Sequence, residues 1–275
     1  LDLFVVNGNA ENKMYLNERQ GSFEAAEIPG ELANPSGSLA AVAGDFNNDG
    51  KLDLAIASNS GISLRLFVNK GNGEFDPFVN PGSDFNKLDQ VKINDLEFID
   101  FDNDGRLDVL IAGENKNPNE RGLFLFHNRG DGSFADLTSL LPEKPLSARQ
   151  ISLFDYNEDG DTDILLSGVS GEIFLLRNDG GNMNHYLNMK LVGLRTGSAK
   201  NNYFGIGSKV EMRAGDLYQS AVVKRPEISF GLGDRSKADV IRITWTNGVP
   251  QNILLPDADQ ALIDLDGTDN KGRLG

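Results

Sequence analysis

An internal repeat constrains this chain more than any other feature. Residues 44–58 read GDFNNDGKLDLAIAS, residues 99–113 read IDFDNDGRLDVLIAG and residues 154–168 read FDYNEDGDTDILLSG. Their first loop carboxylates, Asp45, Asp100 and Asp155, stand a constant 55 residues apart (100 − 45 and 155 − 100). At such a period each repeat is one supersecondary unit that must bury its apolar face against a neighbour. After the acidic loop come an apolar strand and a second strand ending in Asn: LFVN at 66–69, LFHN at 125–128 and LLRN at 175–178. A Gly-rich turn then leads to Phe in GNGEF (71–75) and GDGSF (130–134). LDLFVVNG at 1–8 and MYLNERQGSF at 14–23 keep the same register, so the chain opens inside a repeat with Asp2 on the last loop position.

Each apolar run is short, β-branched or aromatic, and bounded by turn residues, which excludes a helical reading. The expected fold is all-β: about four β-propeller-type blades in a partial or open ring, followed by a small β domain. The repeats are expected over 1–182, the second domain over 183–260 and a flexible tail over 261–275. Residues 1–6 read as a strand and not as a signal peptide, since no basic segment precedes them.

The loops carry the chemistry. Ca²⁺ takes 6–8 oxygen ligands at about 2.3–2.6 Å. A short loop supplies them when alternate residues point inward and a glycine permits the sharp turn. The first loop offers Asp45, Asn47, Asp49, the Lys51 carbonyl and Asp53. The second offers Asp100, Asp102, Asp104, the Arg106 carbonyl and Asp108. The third offers Asp155, Asn157, Asp159, the Asp161 carbonyl and Asp163. Gly50, Gly105 and Gly160 supply the turns, and the aromatic second position (Phe46, Phe101, Tyr156) is expected to anchor each loop in the core. The expected cofactor is therefore Ca²⁺ at three sites, with a partial fourth at Asp2. An EF-hand is excluded, because its twelfth position must be a bidentate Glu and here holds Ile56, Ile111 or Leu166. Three loops in register outweigh the reading as solvated acidic turns, since uncompensated carboxylates around one point repel.

Net charge narrows the partners. At −15 the surface repels phosphate backbones and anionic lipid heads, so nucleic acid and membrane surfaces are poor partners. No run approaches the roughly 18–20 apolar residues of a membrane span. Cysteine is absent, which excludes disulfides, thiolate zinc sites and a cysteine nucleophile.

The repeated D-x-[DN]-x-D-G-x-x-D loops resemble the FG-GAP/VCBS family, whose calcium-loop blades are shared with integrin α-subunit propellers. The resemblance spans roughly residues 1–180. GIGSKVEMRAGD (205–216), SFGLGD (229–234) and VIRITWTNG (240–248) are similar to the ASPIC/UnbV domain, which follows such repeats in the cartilage acidic protein-like family. The stretch between Tyr218 and Ile228 is shorter than in that domain and lacks its Ser/Gln-rich piece. The resemblance implies an extracellular, cell-surface or periplasmic protein. Its propellers usually have seven blades, and three full loops with one partial unit fall short of that ring.

Trp245 is expected in the core, with carbohydrate stacking as the sharper alternative. His127 and His185 lack a second His or Cys at ligand spacing and are expected at the surface or in packing. Asn69, Asn128 and Asn178 are expected to bond turn backbone. Lys224, Arg225 and Arg213 form a small basic group, either a solvated edge or a patch docked on the acidic repeats. The expected function is a non-enzymatic, calcium-binding scaffold or adhesion module for protein or polysaccharide, with self-association open. The alternative is a polysaccharide lyase or hydrolase on a calcium-stabilised propeller.

Overall fold

A computed structural model describes residues 2–265 except 19–20, 29, 34–36, 59–61, 80–82, 118, 144–146, 181–182 and 194–200. The first blade is the antiparallel sheet β1 (Leu3–Val5), β2 (Lys13–Asn17), β3 (Phe23–Ala26). The second is β4 (Ser38–Gly44), β5 (Asp53–Ser58), β6 (Leu64–Gly71), β7 (Glu74–Pro77). The third is β8 (Val91–Ile99), β9 (Asp108–Asn115), β10 (Leu123–Asn128), β11 (Phe134–Asp136). The fourth is β12 (Ala148–Phe154), β13 (Asp163–Gly168), β14 (Ile173–Leu176). Each acidic loop joins the first and second strands of its blade. No helix among the described residues is long and apolar enough to cross a membrane.

Strand alternation decides which way each side chain packs. In β5, Leu54 and Ile56 point to the first blade, where they share a core with Met14, joined by Phe67 of their own blade. Ala55 and Ala57 point the other way, to Val109 and Ile111 of the third blade. Leu110 and Ala112 in turn meet Ile164 and Leu166 of the fourth. The equivalent positions in the first blade, Leu3 and Val5, are 48% and 39% exposed, because no blade precedes them among the described residues.

The second domain is a two-sheet β unit. One sheet orders β18 (Glu227–Gly233), β15 (His185–Val192) and β21 (Gln260–Leu265), with β15 and β21 parallel. The other orders β17 (Leu217–Val222), β16 (Lys209–Ala214), β19 (Val240–Thr244) and β20 (Pro250–Leu254). Their inner faces share one core with Phe230, Leu232, Ile241, Ile243 and Trp245. Trp245 is 2% exposed and its Nε1 donates to Gln251, so it is a core residue and not a stacking platform. Residues 261–265, assigned above to a flexible tail, belong to β21, which pairs with β15 along its length. The rest of that expected tail, 266–275, lies outside the described residues.

The basic group divides. Lys224 donates to Ala43 O in β4 (3.1 Å), and Arg225 donates to Leu153 O in β12. Arg213 lies apart and bonds Gly215 O. The two docked side chains thus link the second domain to the first strands of the second and fourth blades.

Candidate metal centre

The three loops share one hydrogen-bond pattern, dictated by their spacing. The first carboxylate reaches forward to the turn: Gly50 N donates to Asp45 Oδ2 (2.9 Å), Gly105 N to Asp100 Oδ2 (3.0 Å) and Gly160 N to Asp155 Oδ2 (2.9 Å). The fifth position accepts from the seventh residue's N–H, as Asp49 does from Lys51, Asp104 from Arg106 and Asp159 from Asp161. The ninth-position carboxylate accepts from the repeat's Asn, in or just after the blade's third strand. Those distances are 2.8 Å for Asn69 N to Asp53, 2.7 Å for Asn128 N to Asp108 and 2.7 Å for Asn178 N to Asp163. In the first blade Asn17 N meets Asp2 at 2.9 Å, so Asp2 holds the same structural position. The turn glycines have φ of 87°, 88° and 92°, where a Cβ is strained.

The repeat-ending Asn residues do accept from the turn: Gly71 N, Gly130 N and Gly180 N donate to Asn69, Asn128 and Asn178. Two also reach across blades, Asn128 Nδ2 to Phe46 O (2.8 Å) and Asn178 Nδ2 to Phe101 O (2.6 Å). The fourth loop position, which alternation treats as outward, makes a second link. Asn48 Nδ2 donates to Gly105 O (3.0 Å), and Asn103 Nδ2 to Asp161 Oδ1 (2.9 Å). Both residues have positive φ, a conformation Asn tolerates better than most side chains. The loops are therefore chained from blade to blade.

Phe46 anchors its loop as expected, buried against Phe78, Phe98 and Phe134. Phe101 packs on the next interblade core. Tyr156 does not follow them: it is 59% exposed, because this position packs on the following blade and the fourth blade has none among the described residues.

The second loop is the most convergent. Ligand atoms of Asp100, Asp102 and Asp104 lie within 4.8 Å of one another. A second such group joins Asp102 and Asp108 to His127. His127 Nδ1 sits 3.1 Å from Asp108 Oδ1 and 3.8 Å from Asp102, so this residue belongs to the loop's surroundings, which sequence spacing missed. The first and third loops carry Asn47 and Asn157 where the second has Asp102, and form no such carboxylate group among the described residues.

Two buried oxygens test whether a cation fits. Asp53 Oδ2 and Asp100 Oδ1 are buried without a hydrogen-bond partner, although Asp53 itself is fully enclosed. An unpaired buried carboxylate oxygen is costly, and a hard cation is the ligand such oxygens suit. Burial pushes Asp45 up to about 6 and both Asp53 and Asp108 up to about 7. Asp100 rises well above the usual carboxylate range through burial and the charges of Asp108, Asp104 and Asp102.

These shifts set a pH dependence. A carboxyl raised on folding stabilises the fold below its unfolded pKa and loses that contribution as pH rises through the folded value. His127, raised by its bond to Asp108, acts in the same direction. In metal-stripped buffer the protein is therefore expected to melt higher at pH 5.5 than at pH 8. Bound calcium would need the ionised carboxylates, so its stabilisation should shrink as pH falls from 8 to 5.5. Melting curves at both pH values, with and without calcium, check both signs.

Comparison with known proteins follows the same division of the chain. The FG-GAP-like repeat family matches residues 1–56, 45–111 and 100–166. The ASPIC and UnbV family matches residues 197–268. Among curated proteins nothing matches. One similar solved structure is an Agrocybe aegerita lectin, described by its specific recognition of non-reducing terminal N-acetylglucosamine. It is 16% identical with a TM-score of 0.44, over 66% of this chain and 50% of that one. Another is the V. cholerae biofilm matrix protein Bap1, 10% identical with a TM-score of 0.29, over 92% of this chain and 58% of that one. The chain thus spans only about half the length of each.

Proposed function

The chain belongs to the FG-GAP repeat family, and from that premise we propose that it is a calcium-stabilised extracellular module, a scaffold or adhesion unit that binds protein or polysaccharide. The observation that carries the calcium reading is the pair of buried, unpartnered oxygens on Asp53 and Asp100. Each lies in a loop whose other donors are oxygens: Asp45, Asn47, Asp49 and the Lys51 carbonyl, or Asp102, Asp104, the Arg106 carbonyl and Asp108. The third loop offers the equivalent set from Asp155 to Asp163. In this reading the ion neutralises carboxylates that already hold the turn amides, so its binding free energy becomes folding free energy. The loop carboxylates are then ligands and not catalytic acids.

Affinity should rank by carboxylate count, because ligand charge tunes calcium binding. The second loop, with four Asp side chains, is expected to bind tightest. Calorimetry of variants that each disable one loop tests this ranking, and a weakest second loop would refute it. The partner class is tested by screening the calcium-loaded chain against a glycan array and against extracellular proteins. Retention that disappears on chelation supports a binding module. Turnover of a polysaccharide during the screen would replace that reading with a lyase or hydrolase.

A further inference from the structure

The second domain lies across all three loops. A Cβ on Gly50 would stand 2.8 Å from Tyr218 Cε1, and one on Gly160 would stand 2.1 Å from Tyr186 Cε1. One on Gly105 would meet Leu217 Cδ2 at 2.7 Å and the Gly231 carbonyl at 3.0 Å. The contacts are polar as well. Lys209 Nζ donates to Gly50 O (3.2 Å), Gly233 N to Asn103 O (2.8 Å) and Asn188 Nδ2 to Asp155 Oδ2 (3.2 Å). In the Phe230-Gly231-Leu232-Gly233 step, a Cβ on Gly231 would fall 2.2 Å from Asp100 Oδ2. Asp100 is also the residue whose other oxygen is buried and unpartnered.

Resting on the calcium reading above, we propose that the second domain is a cation-dependent cap: filled loops hold it on the repeats, and the docked cap keeps the ions in. The argument is geometric and electrostatic. The cap rests on the turn glycines and on Asp100, whose positions depend on carboxylates that repel one another unless a cation sits among them. Chaining through Asn48 and Asn103 makes the three turns one surface, so a shift in one loop disturbs its neighbour's contact with the cap. In the other direction, Gly231 and Leu217 cover the second loop and close a way out for its ion. Because coupling free energy is reciprocal, calcium must strengthen docking by the factor by which docking strengthens calcium binding.

Hydrogen exchange on the full chain tests this, with calcium uptake measured calorimetrically on the same samples. With calcium, the peptides covering 101–106 and 232–236, which meet where Gly233 N donates to Asn103 O, should be protected. In metal-stripped buffer their exchange should rise at least tenfold, while β15 and β19, paired within the second domain, keep their protection. Gly231→Ala places a methyl against Asp100 and should loosen the same peptides in calcium. It should also release the ion at least tenfold faster to a fluorescent chelator in stopped flow. Tyr186→Ser, which removes the ring over Gly160 from a partly exposed site, gives a second variant with the same expected direction at the third loop. Calcium uptake with equal exchange in both buffers overturns the cap and leaves the calcium reading standing, as does unchanged ion release in both variants. Absence of calcium uptake overturns the reading and the cap together.

Discussion

Adding millimolar calcium to the metal-stripped protein is expected to raise its melting temperature by about 15 °C or more. A ligand that binds only the folded state stabilises it by about 2.7 kcal/mol at a concentration one hundred times its Kd. Three such sites would supply roughly 8 kcal/mol, and a chain of this size gains about 2–4 °C per kcal/mol. The structural basis is that the loops are joints and not appendages. Each ninth-position carboxylate fastens the third strand of its blade. Each turn also touches the next blade or the second domain. Differential scanning calorimetry gives the shift directly, and magnesium serves as the control, since it demands tighter octahedral geometry and sheds water reluctantly.

The second large effect separates a proposed ligand that also builds the fold from one that would only bind. Asp108 is fully buried and accepts from Asn128 N at 2.7 Å and from Phe101 N at 3.3 Å, with His127 beside it. Asp108→Ala strands those donors, each at roughly 1–3 kcal/mol, so the expected loss is about 3–5 kcal/mol even without calcium. Asp104 lies nearer the surface, where it accepts from the Arg106 backbone and side chain. Asp104→Ala should change metal-free stability by no more than about 1 kcal/mol, while still weakening the second site. Asp108→Asn keeps an acceptor for Asn128 N and should fall between the two. Urea unfolding in metal-stripped buffer ranks the three variants, and equal losses for Asp104→Ala and Asp108→Ala would remove the structural role assigned to Asp108.

Much of this was legible in the sequence because it is local and repeated. Three full loops 55 residues apart and one partial unit announce blades, and the 2.7–2.9 Å bond from the repeat's Asn to its ninth-position Asp recurs in all four, Asp2 included. The residues that escaped are those whose partners lie in another unit. Asn48 and Asn103 fall at an even loop position, where simple alternation sees an outward side chain. Their shared identity one period apart was the available signal. His127 replaces Val68 and Arg177 at the same position, so the repeat itself argued against a role there. Gly231 stands in a recognisable Phe-Gly-Leu-Gly step, yet nothing in its own segment announces that Asp100 lies against it. Tyr156 shows the limit of carrying one blade's packing to the next, because the position is buried only when another blade follows.

Calcium stoichiometry tests the central claim most directly. Equilibrium dialysis of the intact chain at pH 7.5 against buffered micromolar to millimolar calcium should give three ions per chain, falling to two in Asp100→Ala. Saturation with no bound calcium, or uptake unchanged when Asp100 is removed, would contradict the account.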